Sequence, residues 1–340
     1  LNCDGIAIAG GEPLLYPHLA EVIEFITKQE LKARVLTNGL SLTWDLAKDL
    51  KKAGLANISF HVDCCQNRPG WEGKTETDMN ELRQHYADFI WELGEVHCSF
   101  LLTIYRSTLQ DIPEVVDWGR KNIHKVRSIA LIALRGLPVT AEMNYLSNGK
   151  KIDPSGLRTA FTEENEITIT AEEIYEIIEA RFPGSHPSAY LNGTAVPETY
   201  KILIIPFLGS KDGVFGTVGA KSVEFSQVIH HLLKGRYGLG VRRPDIGKKV
   251  FFMSFFDPGV KKAFRGFLKA GFRNPLSLFG RVYTQTIQIQ QPKEILGGET
   301  NCCDGCPNQM IYEGMIVNSC RLDEYRLFGG PLTPLRSLGK

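Results

Sequence analysis

The sequence lacks a long hydrophobic run. A membrane-spanning helix takes about 18 or more uninterrupted apolar residues, whereas the longest apolar stretches here, such as residues 202–208, are strand-sized. It also lacks an excess of charge of either sign. Its 39 Lys and Arg against 38 Asp and Glu leave a net charge of +1, which excludes a nucleic-acid binder that works by bulk electrostatics. Eight cysteines in 340 residues are too few for a disulfide scaffold. The opening Leu1-Asn2-Cys3-Asp4-Gly5 has neither a Met nor the charged and apolar regions of a signal peptide, and it runs straight into a strand-like segment. These features predict a cytoplasmic fragment whose true N-terminus is missing.

What is present is globular composition. With 43% hydrophobic and 23% charged residues, the chain can bury one large core or two smaller ones and is not a disordered tail. The cysteines are unevenly placed. Cys3, Cys64, Cys65 and Cys98 are scattered, but Cys302, Cys303, Cys306 and Cys320 crowd near the C-terminus. Thiols grouped in this way point to a reducing compartment and to metal ligation.

The first half alternates in type. Residues 5–9, 33–37, 57–62, 97–105 and 126–134 read as strands. Residues 16–29, 42–53, 77–93 and 112–122 carry apolar side chains at helical spacing. Apolar strands separated by helices predict a parallel sheet, covered on both faces, of either doubly wound or (β/α)-barrel type. In both, chemistry gathers at the C-terminal strand ends. The segments there are Gly10-Gly11-Glu12-Pro13, Asn38-Gly39, Asp63-Cys64-Cys65, Arg106-Ser107 and Arg135-Gly136. Singly they are ordinary turn chemistry; together they outline a polar rim.

Gly10-Gly11-Glu12-Pro13 after a strand, with Thr37-Asn38-Gly39 one βα unit later, resembles the radical S-adenosylmethionine (radical SAM) superfamily across roughly residues 1–140. The resemblance implies a partial (β/α)6 barrel with its N-terminal strand truncated. It also implies that Gly10, Gly11 and Glu12, with Pro13, pair with the methionyl group of S-adenosylmethionine. Two glycines at a strand end leave the backbone edge open to a ligand, and Glu12 adds a carboxylate toward a cationic one. Asn38 sits on the adjacent rim. Ser59, His61 and Asp63 alternate on one side of the strand after it and are candidates to reach the cofactor or substrate; His61 also reads as an ordinary core histidine. The family's CxxxCxxC, which holds the catalytic [4Fe–4S] cluster, does not occur in the 340 residues. It is expected to precede Leu1.

The turn Cys302-Cys303-Asp304-Gly305-Cys306-Pro307, followed by a hairpin around Gly314 and by Cys320, offers four sulfurs. These suit an iron–sulfur cluster or Zn(Cys)4. The family resemblance favours an auxiliary iron–sulfur cluster in a SPASM-like region, with zinc as the alternative. The expected organisation is a radical SAM core at 1–140, a substrate-covering insertion at 141–245, and a C-terminal α+β extension with the cysteine cluster at 246–340. In the insertion, residues 168–182 form a helix capped by Thr170 with Glu173 three residues on. In the extension, Val260, Phe264, Phe267, Leu268 and Phe272 form a stripe ringed by Lys261, Lys262, Arg265, Lys269 and Arg273. Such a stripe is a core face or a peripheral membrane contact.

The resemblance thus implies an enzyme that cleaves S-adenosylmethionine to a 5′-deoxyadenosyl radical and abstracts hydrogen from an unactivated carbon of a lipid-like or peptide substrate. A ferredoxin or flavodoxin would be its reductant, and nucleic acid is not an expected partner. The residues themselves leave two rivals: another α/β enzyme binding a nucleotide through Gly10-Gly11, which GxGxxG and GxxxxGK[ST] do not support, and a non-enzymatic zinc-bearing module.

Overall fold

The computed structural model describes residues 3–134, 136–139, 143–157, 160–161, 168–236, 247–296 and 298–336. Leu1, Asn2 and Arg135, all named in the sequence readings above, lie outside them. The fold is mixed α/β. Strands β1 (Gly5–Ile8), β2 (Lys32–Thr37), β3 (Leu55–His61), β4 (His97–Ile104) and β5 (Val126–Ala133) pair in parallel and in sequence order. They alternate with helices α1 (Leu19–Lys28), α2 (Trp44–Lys52), α3 (Met79–Leu93) and α4 (Ile112–Lys121). Right-handed crossovers between sequential parallel strands place every helix on the same face. The core confirms this: Ile23, Ile26, Leu50, Ile90 and Val115 from the helices meet Val35, Ile58, Phe60, Phe100 and Leu131 from the strands in one cluster.

The sheet is therefore helix-covered on one face, not on both. Its other face is polar. Asn57 donates to Ser99 Oγ at 2.9 Å, Ser128 donates to the same oxygen at 2.9 Å, and Ser59 donates to Asn57 Oδ1 at 2.8 Å. Three neighbouring strands thus carry a hydrogen-bonded ladder where a doubly wound sheet would carry a second apolar layer. A polar inner face beneath one ring of helices is barrel-type architecture.

The parallel set does not stop at residue 140. Strand Tyr283–Gln290 pairs in parallel with β5, and Tyr200–Ser210 then pairs antiparallel with it. Ala189–Asn192 and Gly213–Thr217 flank Tyr200–Ser210 at its two ends. Six parallel strands result, the sixth supplied from far along the chain. The helix α5 (Ala171–Arg181) joins the same core through Ile174 and Ile178. Thr170 caps it by accepting from Glu173 N at 3.1 Å, while the Glu173 carboxylate pairs with Arg106 instead of closing a capping box.

Helix α7 (Pro258–Arg273) packs on the Gly213–Thr217 strand beside a second apolar cluster, which helix α6 (Ala220–Lys234) joins through Val223. Val260, Ala263, Phe267 and Gly271 are the buried face of α7. The sequence stripe therefore splits: Phe267 is core, against Phe215 and Phe251, whereas Leu268 and Phe272 are exposed. Asp257 fastens this unit. Its buried carboxylate accepts from Val260 N at 2.9 Å, Ser222 N at 2.9 Å and Gly219 N at 3.1 Å, closing the start of both helices. Burial pushes its pKa up, but the hydrogen bonds outweigh this and hold it below the usual carboxylate value. Asp257→Ala is expected to cost about 2–3 kcal/mol, a lost cap plus buried amides left without an acceptor, measurable by urea denaturation. Because the folded pKa is depressed, this stabilisation is complete above the unfolded value of about 3.9 and lost as pH falls through the folded one.

Candidate functional site

The rim at the C-terminal ends of β1–β4 is built by short turns locked to one another. After β1 the chain bends through Gly10 at φ 98° and Gly11 at φ 52°, backbone states that L side chains rarely adopt. Nothing lies within 4 Å of where a Cβ would stand at either glycine, so this edge is open. Pro13–Leu15 then forms a turn of 3-10 helix capped by Glu12. The Glu12 carboxylate accepts from Leu14 N at 3.1 Å, from Asn38 N at 2.8 Å and from the Thr37 hydroxyl. Thr37 Oγ1 in turn accepts from Gly39 N at 2.9 Å. The GGEP and TNG turns are thereby one clamped unit, and Glu12 is the clamp. Pro13 is buried beneath it, and Asn38 Oδ1 accepts from Leu40 N at 2.8 Å to shape its own turn.

His61 and Asp63 come together at the end of β3. His61 Nε2 lies 2.9 Å from Asp63 Oδ2 and 3.4 Å from Thr103 Oγ1. Asp63 is buried and also accepts from Cys65 N at 3.1 Å and Thr103 N at 3.3 Å. The imidazole itself is 45% exposed, so it is an oriented ring at the rim and not a core histidine. Ser59 lies deeper, its hydroxyl committed to the ladder. Behind the rim, burial first and the Glu76 carboxylate second push the Cys64 thiol well up, which keeps it protonated.

Three residues that hold this rim escaped sequence reading. Arg68 donates to Asn38 O at 2.6 Å and to His61 O at 2.7 Å, joining the ends of β2 and β3. Arg83 and Glu76 form a fully buried ion pair, and Arg83 also donates to Val62 O at 2.9 Å, just below Asp63. The available signal was Arg83 itself, four residues after Met79 and four before Ala87 on the apolar side of α3. A charge at that position requires a buried partner.

The C-terminal cysteines lie at the same end of the sheet. Residues 302–304 are stitched antiparallel onto the segment after Asn192: Gly193 bridges Cys303, Thr194 N donates to Cys302 O at 2.9 Å, and Asp304 N donates to Asn192 O at 2.9 Å. The Cys303 and Cys306 thiols perturb each other, Cys303 being pushed up and Cys306 lowered to about 7. Cys302 and Cys306 are close enough to Cys320 to perturb it electrostatically. The expected hairpin is present as Gln309–Tyr312 and Met315–Asn318. Buried Lys201, paired with Glu294, and Lys293, paired with Glu324, supply positive charge nearby. The structure thus brings the four thiols into one neighbourhood, but among the described residues no three such side chains converge into a ready metal site.

Residues 1–119 match the family model described as the radical SAM superfamily. Over those residues, about a third of the chain, it is similar to radical SAM proteins. Radical SAM enzymes use S-adenosylmethionine and a [4Fe–4S] cluster. Similar curated proteins are a probable GTP 3′,8-cyclase of Methanococcus vannielii, 31% identical over 116 residues, which are 34% of this chain and 38% of that protein; an AdoMet-dependent heme synthase of Methanosarcina barkeri, 24% identical over 124 residues, 34% of this chain and 33% of that protein; and a GTP 3′,8-cyclase of Campylobacter jejuni, 40% identical over 65 residues, 18% of this chain and 20% of that protein. The chain therefore spans well under half the length of the relatives it matches. Among solved structures it is similar to Streptococcus suis SuiB bound to S-adenosylmethionine, with a TM-score of 0.34 and 13% identity over 52% of this chain and 35% of that one. A domain of a Bacteroides vulgatus pyruvate-formate lyase-activating enzyme gives a TM-score of 0.32 and 11% identity, over 53% of this chain and 95% of that one. No helix among the described residues is long and apolar enough to cross a membrane.

Proposed function

We propose that this chain is the S-adenosylmethionine-binding part of a radical enzyme, with the cofactor's methionyl end along the Gly10–Gly11 edge. The observation that carries this reading is the open, left-handed backbone at those two glycines, fixed in place by Glu12. Glu12 acts through the edge it shapes, since its carboxylate is already bonded to Leu14, Thr37 and Asn38. Asn38, His61 and Thr103 present hydrogen-bonding groups to the remainder of the cofactor or to the substrate, and Asp63 fixes the ring of His61. A [4Fe–4S] cluster held by a CxxxCxxC would, once reduced by a ferredoxin or flavodoxin, supply the one electron needed to cleave S-adenosylmethionine to methionine and the 5′-deoxyadenosyl radical. Its CxxxCxxC is not among these residues. The test is therefore to extend the chain at its N-terminus with a strand–loop–helix unit bearing CxxxCxxC and to reduce it anaerobically with S-adenosylmethionine present. Release of 5′-deoxyadenosine is expected, and its absence from a cluster-loaded protein would reject the reading.

We also propose that Cys302, Cys303, Cys306 and Cys320 hold an auxiliary iron–sulfur cluster. What supports this is the donor set itself, four thiols brought to one end of the sheet by the pairing of residues 302–304 with the segment after Asn192. Closure of the four sulfurs would accompany binding, as metal affinity and local folding are coupled. In the 340-residue chain reconstituted anaerobically with iron and sulfide, Cys306→Ala and Cys320→Ala are each expected to lose most of the bound iron and the brown absorption. Full iron content in both variants, or a native protein that carries only zinc, would overturn the assignment.

A further inference from the structure

We propose that the segment from Lys248 to Arg281 is a membrane-docking face whose partner is an anionic lipid surface. It is independent of the cofactor reading above. The segment holds eight Lys and Arg against one acidic residue, Asp257, in a chain whose total charge is +1. Asp257 is buried in its capping role, so this face presents no carboxylate of its own. Lys261, Lys262, Arg265, Lys269 and Arg273 are all exposed.

Large apolar side chains stand among these cations. Phe255 and Phe272 are each 90% exposed, Phe279 is 83% exposed and Leu276 is 77% exposed. Packing on the protein's own core does not account for them, because α7 already fills that role through Val260, Ala263, Phe267 and Gly271. Cations and rings interleave: the Lys248 ammonium lies 6.0 Å from the centroid of the Phe279 ring. Leu276 and Phe279 also line one side of an open recess of about 530 Å³, whose other walls include Trp91, Lys211, Asp212 and Arg281. Basic residues around exposed aromatics, beside a headgroup-sized recess whose walls carry two cations and one carboxylate, match the interface between anionic headgroups and acyl chains. A second copy of the chain fits poorly, because a symmetric contact would set like charge against like.

The sheet topology says what such docking would do. Helix α7 packs on Gly213–Thr217, which pairs with the Phe207–Ser210 end of its partner strand. That end and Tyr283 lie where the parallel strands begin. The face is thus at the opposite end of the sheet from Gly10–Glu12 and His61. It would hold the protein on a bilayer while leaving the rim uncovered, so it is an anchor and not a substrate entrance.

Co-sedimentation of the 340-residue chain with vesicles of mixed phosphatidylglycerol and phosphatidylcholine tests this. Binding is expected at low salt, weakening as salt is added and absent with phosphatidylcholine alone. The triple variant Lys261→Gln, Arg265→Gln, Lys269→Gln should bind roughly a hundred-fold more weakly, at about 1 kcal/mol per basic residue. The double variant Phe255→Ser, Phe272→Ser should lose binding with an unchanged thermal midpoint, since both rings are exposed. The proposal is overturned if the unmutated chain does not bind mixed vesicles at low salt, if both variants bind as well as it does, or if ultracentrifugation shows a dimer that the double variant dissolves.

Discussion

Arg83→Leu is expected to destabilise the protein by about 3–5 kcal/mol, because it leaves the Glu76 carboxylate buried without its cation. The pair is fully buried, and the Arg83 guanidinium also donates to Val62 O, to Glu76 O at 3.2 Å and to Asn80 Oδ1 at 2.7 Å. Burial pushes Glu76 up, opposed chiefly by Arg83. Without that cation, the carboxylate is stable in the folded state only when protonated. With the folded pKa raised, the variant's deficit should be smallest at acidic pH and grow as pH rises through the carboxylate range. The double variant Arg83→Leu, Glu76→Leu should recover much of the loss, as apolar replacement of a whole buried pair often does. Urea denaturation of the four members of this cycle measures it. A single-variant loss below about 1 kcal/mol, the range of an exposed pair, would show that the pair does not hold the end of β3.

Gly10→Val and Gly11→Val are each expected to abolish detectable S-adenosylmethionine binding in calorimetric titration. Each puts a β-branched residue into a left-handed backbone state, which costs about 1–2 kcal/mol, and each fills the open edge. Space around both glycines means that the fold survives, so the loss should appear in binding with only a modest drop in thermal midpoint. Unchanged binding by both variants would remove the cofactor from this edge.

The parts of the site legible in the sequence are those made by local chemistry. Gly10-Gly11-Glu12-Pro13 and Thr37-Asn38-Gly39 are turns whose residue types fix their backbone states, so motif and strand end coincide. The crossovers β1 to β5 were legible for the same reason, each being a strand and a helix in sequence order. What was not legible depends on distant partners. Strand Tyr283–Gln290 completes the parallel set only because β5, about 150 residues earlier, leaves an edge for it. From Thr286 on its polar and apolar residues alternate, with Ile287 and Ile289 toward the helices, but the pairing partner cannot be read from that pattern. The one-sided helix layer was hidden likewise, since Asn57, Ser99 and Ser128 look isolated until register aligns them. The stripe on α7 shows the opposite limit. Periodicity found the helix, but which residues face inward was decided by Gly213–Thr217 and the 3-10 helix Lys248–Phe255 packing against it.

The central claim is that the clamped rim of GGEP and TNG binds S-adenosylmethionine. Hydrogen–deuterium exchange of the 340-residue chain, with and without saturating S-adenosylmethionine, tests it most directly. The expected result is slower exchange in the segments spanning Gly10–Glu12 and Asn38–Gly39 and at the end of β3, with none at Lys248–Arg281. Protection confined to other segments, or no binding at any ligand concentration, would contradict the claim.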